Sequence, residues 1–133
     1  MTTATLELRD KFAKLESDIS AAKGDFAFYA LFAREDLPDR WDLMISAPWA
    51  SADRTGAIDY FVARIKTDIE PDALVKLSRI IIIDPEEASM QKLNRTIRVE
   101  HGAVEVRDTD FFGVPIKHAY IITSKSASPV LAG

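Results

Sequence analysis

The residues in this sequence best suited to chemistry follow two predicted strands. One strand begins at Trp41, and another covers Ile80–Ile83 and is followed by Asp84. Open sheets bind ligands beyond the carboxyl ends of their parallel strands, so if these strands are parallel neighbours, the residues after them gather at one edge. A helix predicted to begin near Asp53 would offer free N–H groups there to a small anion. The candidate ligand-binding residues are Ser46, Trp49, Ser51, Asp53, Arg54 and Asp84.

The same residues also have structural explanations. Asp84 is placed to be the N-cap of a helix, with Pro85 at the first helical position and Glu87 three residues after the cap. Asp53 or Ser51 is suited to cap the preceding helix. The loop between strand and helix lacks the glycines of a phosphate-binding loop. We therefore favour capping over ligand binding at this edge.

A second candidate lies on the last predicted strand. His118 and Tyr120 are two residues apart, so a strand places both on one face, between Ile116 and Ile122. An imidazole and a phenol side by side could perform acid–base chemistry near neutral pH. His118 and Tyr120 are therefore catalytic candidates, together with Asp84. No nucleophile stands at a definable spacing, which favours the structural alternative of a half-buried pair with hydrogen-bond partners.

The remaining polar residues predict no metal site. His101 precedes Gly102 and suits a helix exit or a turn residue with positive φ. The two histidines match no compact zinc spacing. Asp108 and Asp110 lack the glycine and glutamate of a calcium loop and are interpreted as turn formers. The sequence therefore predicts no metal and no cofactor.

The elements that must position these groups alternate between helices and strands. Residues 4–23 carry an apolar stripe at helical spacing, and residues 25–33 and 41–47 are typical of two antiparallel strands. A helix follows and ends at Pro71. The four β-branched residues of Ile80–Ile83 indicate a strand covered on both faces, with a helix starting at Pro85. Strands at 104–106 and 116–123 complete the order.

This order predicts an α+β fold, with α/β as the alternative. The sheet is mixed, has about five strands with Ile80–Ile83 in the centre, and carries three main helices. Residues 1–124 form a single domain and residues 125–133 a frayed tail.

The segment 97–106 has two interpretations. In the first, the helix runs to Val99 and leaves through His101-Gly102. In the second, Ile97–Val106 is a tight hairpin with His101-Gly102 as its central residues. We favour the helix.

Composition excludes several classes of function. The chain has 133 residues, 47% hydrophobic and 29% charged, which is typical of a globular domain. The absence of cysteine excludes disulfides and cysteine nucleophiles. The N-terminus is charged and lacks the apolar core of a signal peptide, and together with the absence of cysteine this favours the cytoplasm. The longest apolar run is too short for a membrane span. A net charge of −4 argues against nucleic acid.

The aromatic residues carry the functional hypothesis. The predicted strand 25–33 has aromatic side chains on both faces, and an edge strand of this kind favours a partner chain. We therefore expect a non-enzymatic protein-interaction or regulatory module that forms a homodimer, or binds another protein, through this strand and the N-terminal helix. The alternative is a small anion-binding protein or small enzyme that uses the carboxyl-end pocket, with Asp53, Arg54, Asp84 and His118 as its working groups.

Overall fold

The structure is a computed structural model of the 133-residue chain. It describes residues 3–34, 40–69, 77–102, 104–111 and 114–125. The predicted helix end at Pro71 and all but the first residue of the predicted tail lie outside these ranges. The elements are α1 (Thr3–Lys23), β1 (Phe28–Arg34), β2 (Trp41–Ser46), α2 (Pro48–Ala52), α3 (Arg54–Arg64) with a π-helical continuation (Ile65–Ile69), β3 (Leu77–Ile82), α4 (Ala88–Thr96), β4 (Val104–Phe111) and β5 (Val114–Ser124).

One mixed five-stranded sheet organises the fold, in the order β3-β2-β1-β5-β4. β2 and β3 are parallel, and the other neighbouring pairs are antiparallel. The predicted α+β class, the antiparallel return of β2 and the parallel β2–β3 pair are confirmed. Among the described helices, none is both long enough and apolar enough to cross a membrane.

The predicted central position of Ile80–Ile83 needs correction, because β3 is an edge strand and β1 is the middle strand. The connection through α3 places β3 outside β2, while β1 pairs with both β2 and β5. The quartet is nevertheless covered on both faces: Ile80 and Ile82 pack on one core cluster, and Ile81 and Ile83 on the other. A strand covered on both faces has the same composition at an edge as in the centre, which explains the error.

The first core cluster lies between the sheet and α1, α2 and α3. The predicted stripe of α1 is buried here, with Phe12, Leu15 and Ile19 at most 1% exposed. The stripe packs against β1 and β2 and against Phe61 of α3.

The second cluster lies on the opposite face, under the single helix α4. Phe28 and Phe32 of β1 point to this side, and Tyr29 and Leu31 point to the first cluster. All four side chains are at most 1% exposed. The aromatic strand is therefore sealed by its own chain, and its predicted edge position is wrong. An interior strand between two helical layers needs apolar residues on both faces, which is the pattern that indicated a partner.

The segment after α4 follows neither proposed path. α4 ends at Thr96, and Val99 then forms an antiparallel bridge with Ser124 of β5. After a kink at residues 100–102, β4 continues the antiparallel pairing with β5 that the Val99 bridge begins, so the segment does not turn back as a hairpin would. His101 has a φ of 51°, as predicted for a positive-φ residue. Asp108 lies inside β4 with a φ of 50°, and the register with β5 is the same on both sides of it, so it is a local kink within the strand rather than a turn at its end.

Candidate functional site

The carboxyl ends of β2 and β3 meet at one edge of the sheet, as the candidate ligand site requires. The Ile83 N–H donates to the Ile45 carbonyl oxygen at 3.0 Å and extends the parallel pairing to this edge. Arg54, at the start of α3, reaches the same place, where its Nη1 donates to the Ile82 carbonyl oxygen at 2.6 Å. The guanidinium is therefore occupied in holding α3 to the end of β3.

The two acidic candidates at this edge have structural partners. Asp53 caps α3, because its Oδ1 accepts from the Gly56 N–H at 3.0 Å. Asp84 accepts from the Glu86 N–H at 2.9 Å and so forms a turn before α4. The predicted helix start at Pro85 is wrong, since α4 begins at Ala88 with Glu87 as its N-cap residue. The intervening residues belong to the turn that Asp84 stabilises.

Three other candidates at this edge carry buried polar atoms without a hydrogen-bond partner in the structure: Ser46 Oγ, Trp49 Nε1 and Ser51 Oγ. Such atoms are uncommon in protein interiors. Ser46 pairs with Phe28 and so lies on the α4 side of the sheet. Trp49 instead stacks on Phe61, at 6.0 Å and 13°, in the α1 and α3 layer. The atoms of Ser46 and Trp49 therefore face different layers, and ligand binding at this edge stays a prediction.

The second predicted site is a cluster of rings on the α1 side of β5. The ring centroids of His118 and Tyr120 are 4.6 Å apart, and Trp41 stacks on Tyr120 at 5.6 Å. Arg9 of α1 places its guanidinium 5.5 Å from the centre of the Tyr120 ring. Ile116 does not share this face: the pairing with β1 is irregular beside it, and Ile116 packs in the second core cluster.

A carboxylate on the neighbouring strand completes this cluster. Glu105 of β4 lies with its Oε2 2.5 Å from His118 Nε2, and Arg107 donates to the same oxygen at 2.7 Å. The hydrogen bond from Arg107, and next that from His118, lowers the pKa of Glu105 despite some desolvation. Burial, and secondarily the charge of Glu105, raises the pKa of Tyr120. The cluster thus holds a neutral phenol beside an anchored carboxylate.

A further polar network was not predicted, and it centres on Glu16 of α1. Glu16 is 0% exposed, and its Oε2 accepts from Thr123 Oγ1 of β5 at 2.8 Å. His101 Nδ1 lies 2.7 Å from Oε1 of Glu16, and the His101 N–H donates to Thr123 Oγ1 at 3.1 Å. A carboxylate accepts only, so Nδ1 of His101 is the donor in this contact. The burial of Glu16 could have been predicted from the sequence, because Glu16 lies one helical turn after Phe12 on the apolar stripe.

Charged groups surround the outer side of His101. Lys125 Nζ donates to Glu100 and, at 3.1 Å, to Asp25, and Ser20 Oγ also donates to Asp25. The hydrogen bond from Lys125 and then that from Ser20 lower the pKa of Asp25. Burial works against the charge of Lys125, but its hydrogen bonds to Glu100 and Asp25 outweigh that effect and raise its pKa. The lysine ammonium therefore serves as the cation for both carboxylates.

A groove of about 380 Å³ separates α4 from β4 on the opposite face of the sheet. Leu93, Ile97 and Val106 provide its apolar surface, while Lys92 and Asp110 are among its polar lining residues. Within the described ranges, no group of three histidine, aspartate or glutamate side chains is arranged to hold a metal ion.

No family model, no curated protein and no solved structure matches the chain. The function is therefore argued from geometry. Two carboxylate–histidine pairs, Glu16–His101 and Glu105–His118, are the groups most capable of proton transfer. Each pair also joins two elements of the fold, α1 to the kink after α4 and β4 to β5, and that structural duty accounts for its presence.

Proposed function

We propose that the chain is a non-enzymatic protein-interaction or regulatory module of the cytoplasm that forms a homodimer, and that its contact surface is the edge strand β4. The observation that carries the proposal is the position of β4 at the end of the sheet, with β5 on one side and, within the described part of the chain, no strand on the other. An edge strand presents a row of unpaired backbone groups, which is a template for pairing with another chain.

The side chains of β4 support this choice of surface. Val104 is 37% exposed, and among the described residues no other large hydrophobic side chain is exposed to this extent. Val106 beside it is half-buried and continues into the groove under α4. At the other edge of the sheet, β3 exposes Arg79, which is bonded to Asp42. Although β3 has more apolar residues, β4 is therefore the edge strand on which a large hydrophobic side chain is exposed among the described residues.

The structural contacts of the ionisable groups favour an interaction module over an enzyme. Glu16 and His101 hold α1 to the kink, while Glu105 and His118 link β4 to β5. Active sites usually contain ionisable groups that have no packing or capping duty, together with a concave pocket. The groove beside α4 is apolar at its base and lies on the face of the sheet opposite to both pairs.

Self-association is tested by sedimentation or light scattering of the purified chain across the micromolar range. We expect the wild type to dimerise and Val104→Lys to remain monomeric, because a lysine on an edge strand opposes strand pairing. Thr67→Lys, at an exposed position of the π-helical segment, is the matched control and should dimerise like the wild type. A wild type that is monomeric throughout this range would contradict the proposal.

A second candidate function is the binding of a small anion at the carboxyl edge of β2 and β3. The unpartnered atoms of Trp49 and Ser51, which shortly precede the cationic Arg54 in the sequence, favour it. Inorganic phosphate should then raise the melting temperature of the wild type and leave that of Arg54→Gln unchanged, with Lys66→Gln as the control. Equal shifts in the wild type and Arg54→Gln would exclude this edge.

A further inference from the structure

We infer that two copies of the chain pair through antiparallel β4 strands in one register, with the two-fold axis at Val106, so that two five-stranded sheets join edge to edge. This inference rests on the proposed function, since it specifies how the chain self-associates. It is carried by the alternation of side chains on β4, by their charges and by the limits of the regular part of the strand.

The alternation of side chains restricts the possible registers. Residues directly opposite each other in an antiparallel pair point to the same face, so a slip of one residue is forbidden. Val106 packs in the α4 cluster, while Glu105 points to the other face, where it contacts His118. An axis between two neighbouring residues would place each residue opposite its neighbour in the other copy, for example Val106 opposite Glu105. These two side chains point to different faces of the sheet, so such a pairing is not possible. The axis must therefore pass through a residue position.

The regular part of β4 is short. It begins at Val104, after the kink at residues 100–102, and it is interrupted by Asp108, whose φ is 50°. A positive φ departs from the extended backbone that regular strand pairing requires. Pairing with a second copy is thus confined to the stretch Val104–Arg107, and the axis has to lie within it.

Charge selects one position from this stretch. An axis at Glu105 places two glutamates opposite each other, and an axis at Arg107 does the same with two arginines. Like charges opposite each other destabilise a strand pair, while opposite charges stabilise it. An axis at Val106 instead pairs Glu105 of each copy with Arg107 of the other and places the two valines face to face. An axis at Val104 would use only the first residues of the strand.

The exposure of these residues leaves them available for the pairing. The side chain of Glu105 is 39% exposed and that of Arg107 is 65% exposed. Within one chain Arg107 already donates to Glu105, so the four side chains of a dimer would alternate in charge around the axis. On the other face, Val104 of each copy lies diagonally across from Val106 of its partner, which covers the exposed valine and extends the wall of the α4 groove.

Charge reversal tests this register directly. Glu105→Arg and Arg107→Glu each create like-charged pairs on both sides of the axis, and each variant alone should dimerise about tenfold more weakly than the wild type. Mixed in equal amounts, the two variants should form a heterodimer of nearly wild-type affinity. In this heterodimer, each of the two pairs between positions 105 and 107 joins one arginine to one glutamate. Asp59→Arg on α3 and Lys66→Glu are the matched controls, and neither should change dimerisation. Circular dichroism checks that every variant is folded.

Cysteine cross-linking provides a second test, and the chain contains no native cysteine. Val106→Cys should form an intermolecular disulfide at the axis. Val104→Cys should not, because its two copies lie four residues apart along the paired strands, about 13 Å, beyond the reach of a disulfide. Two results with a dimeric wild type would overturn this register and leave self-association standing. One is that the charge variants fail to form the heterodimer, and the other is that Val104→Cys cross-links while Val106→Cys does not. A monomeric wild type would overturn both.

Discussion

Replacement of Glu16 by alanine is the sharpest test of the internal network. The carboxylate is 0% exposed and receives hydrogen bonds from Thr123 Oγ1 at 2.8 Å and from His101 Nδ1 at 2.7 Å. A hydrogen bond to a charged group contributes about 1.5–3 kcal/mol, and a buried donor left without a partner costs about 1–3 kcal/mol. Thr123 is itself 0% exposed and cannot turn to water, whereas the His101 side chain is 42% exposed and can.

These terms predict a loss of about 2–4 kcal/mol in the free energy of unfolding for Glu16→Ala, dominated by the Thr123 contact. Glu16→Gln should lose only about 1 kcal/mol, because the amide keeps an acceptor for Thr123 and can donate to the other tautomer of His101. Urea denaturation at constant m-value measures both losses.

The matched control is Asp18→Ala, one half-turn along α1. Asp18 is exposed, and its ion pair with Lys14 on the surface of α1 spans 3.8 Å, so its removal should cost less than about 0.5 kcal/mol. A loss for Glu16→Ala no larger than that of the control would refute the burial of the carboxylate and the attachment of α1 to β5 through it.

Three further predictions concern single groups. Burial raises the pKa of Tyr29 well above its ordinary 10.0, so the phenol of the unfolded chain loses its proton first as pH rises. The free energy of unfolding should therefore fall above about pH 10. Tyr29→Phe should reduce that fall when urea denaturation is repeated across this pH range. Lys125→Ala should return the pKa of Asp25, which is now lowered, towards its ordinary value in an NMR titration, and thereby reduce the stability lost at acidic pH. Asp53→Ala should cost about 1 kcal/mol through loss of the α3 cap, while Asp53→Asn should be almost neutral in the same denaturation assay; equal costs would indicate a role other than capping.

The parts of the fold that were predictable depend on local periodicity. The stripe of Phe12, Leu15 and Ile19 has one spacing and one burial partner, and the structure buries all three. The parallel pairing of β2 and β3 followed from the helix between them, since a crossover of that length favours parallel neighbours. Helix boundaries were less predictable, because the turn at Asp84 uses the same residue types as a helix cap.

The order of strands was not predictable from composition. Side chains report whether the faces of a strand are covered, but pairing along its edges is made by backbone groups that every residue possesses. β3 and β1 are both covered on two faces, and one lies at an edge while the other lies in the middle. The hypothesis of self-association through the aromatic strand depended on this distinction, and β4 replaces it as the available edge.

The polar contacts required information from distant parts of the chain. Glu16 meets Thr123 and His101 only because α1 packs on β5 beside the kink, and no spacing in the sequence relates the three. Glu105 meets His118 through the register of β4 and β5. A glutamate on an apolar helical stripe was nevertheless visible in the sequence and should have predicted a buried partner.

The Glu16 network also bears on the proposed dimer. The His101 kink, held by Glu16 and Thr123, separates the Val99 bridge from the start of β4, and the positive φ of Asp108 interrupts the extended backbone four residues later. An edge shortened in this way cannot recruit strands of arbitrary sequence, as a long flat edge does. A short edge whose charges are complementary only about Val106 forms a closed two-fold pair instead of an open series. The buried carboxylate of α1 thus holds the kink that precedes the surface through which the chain is proposed to associate.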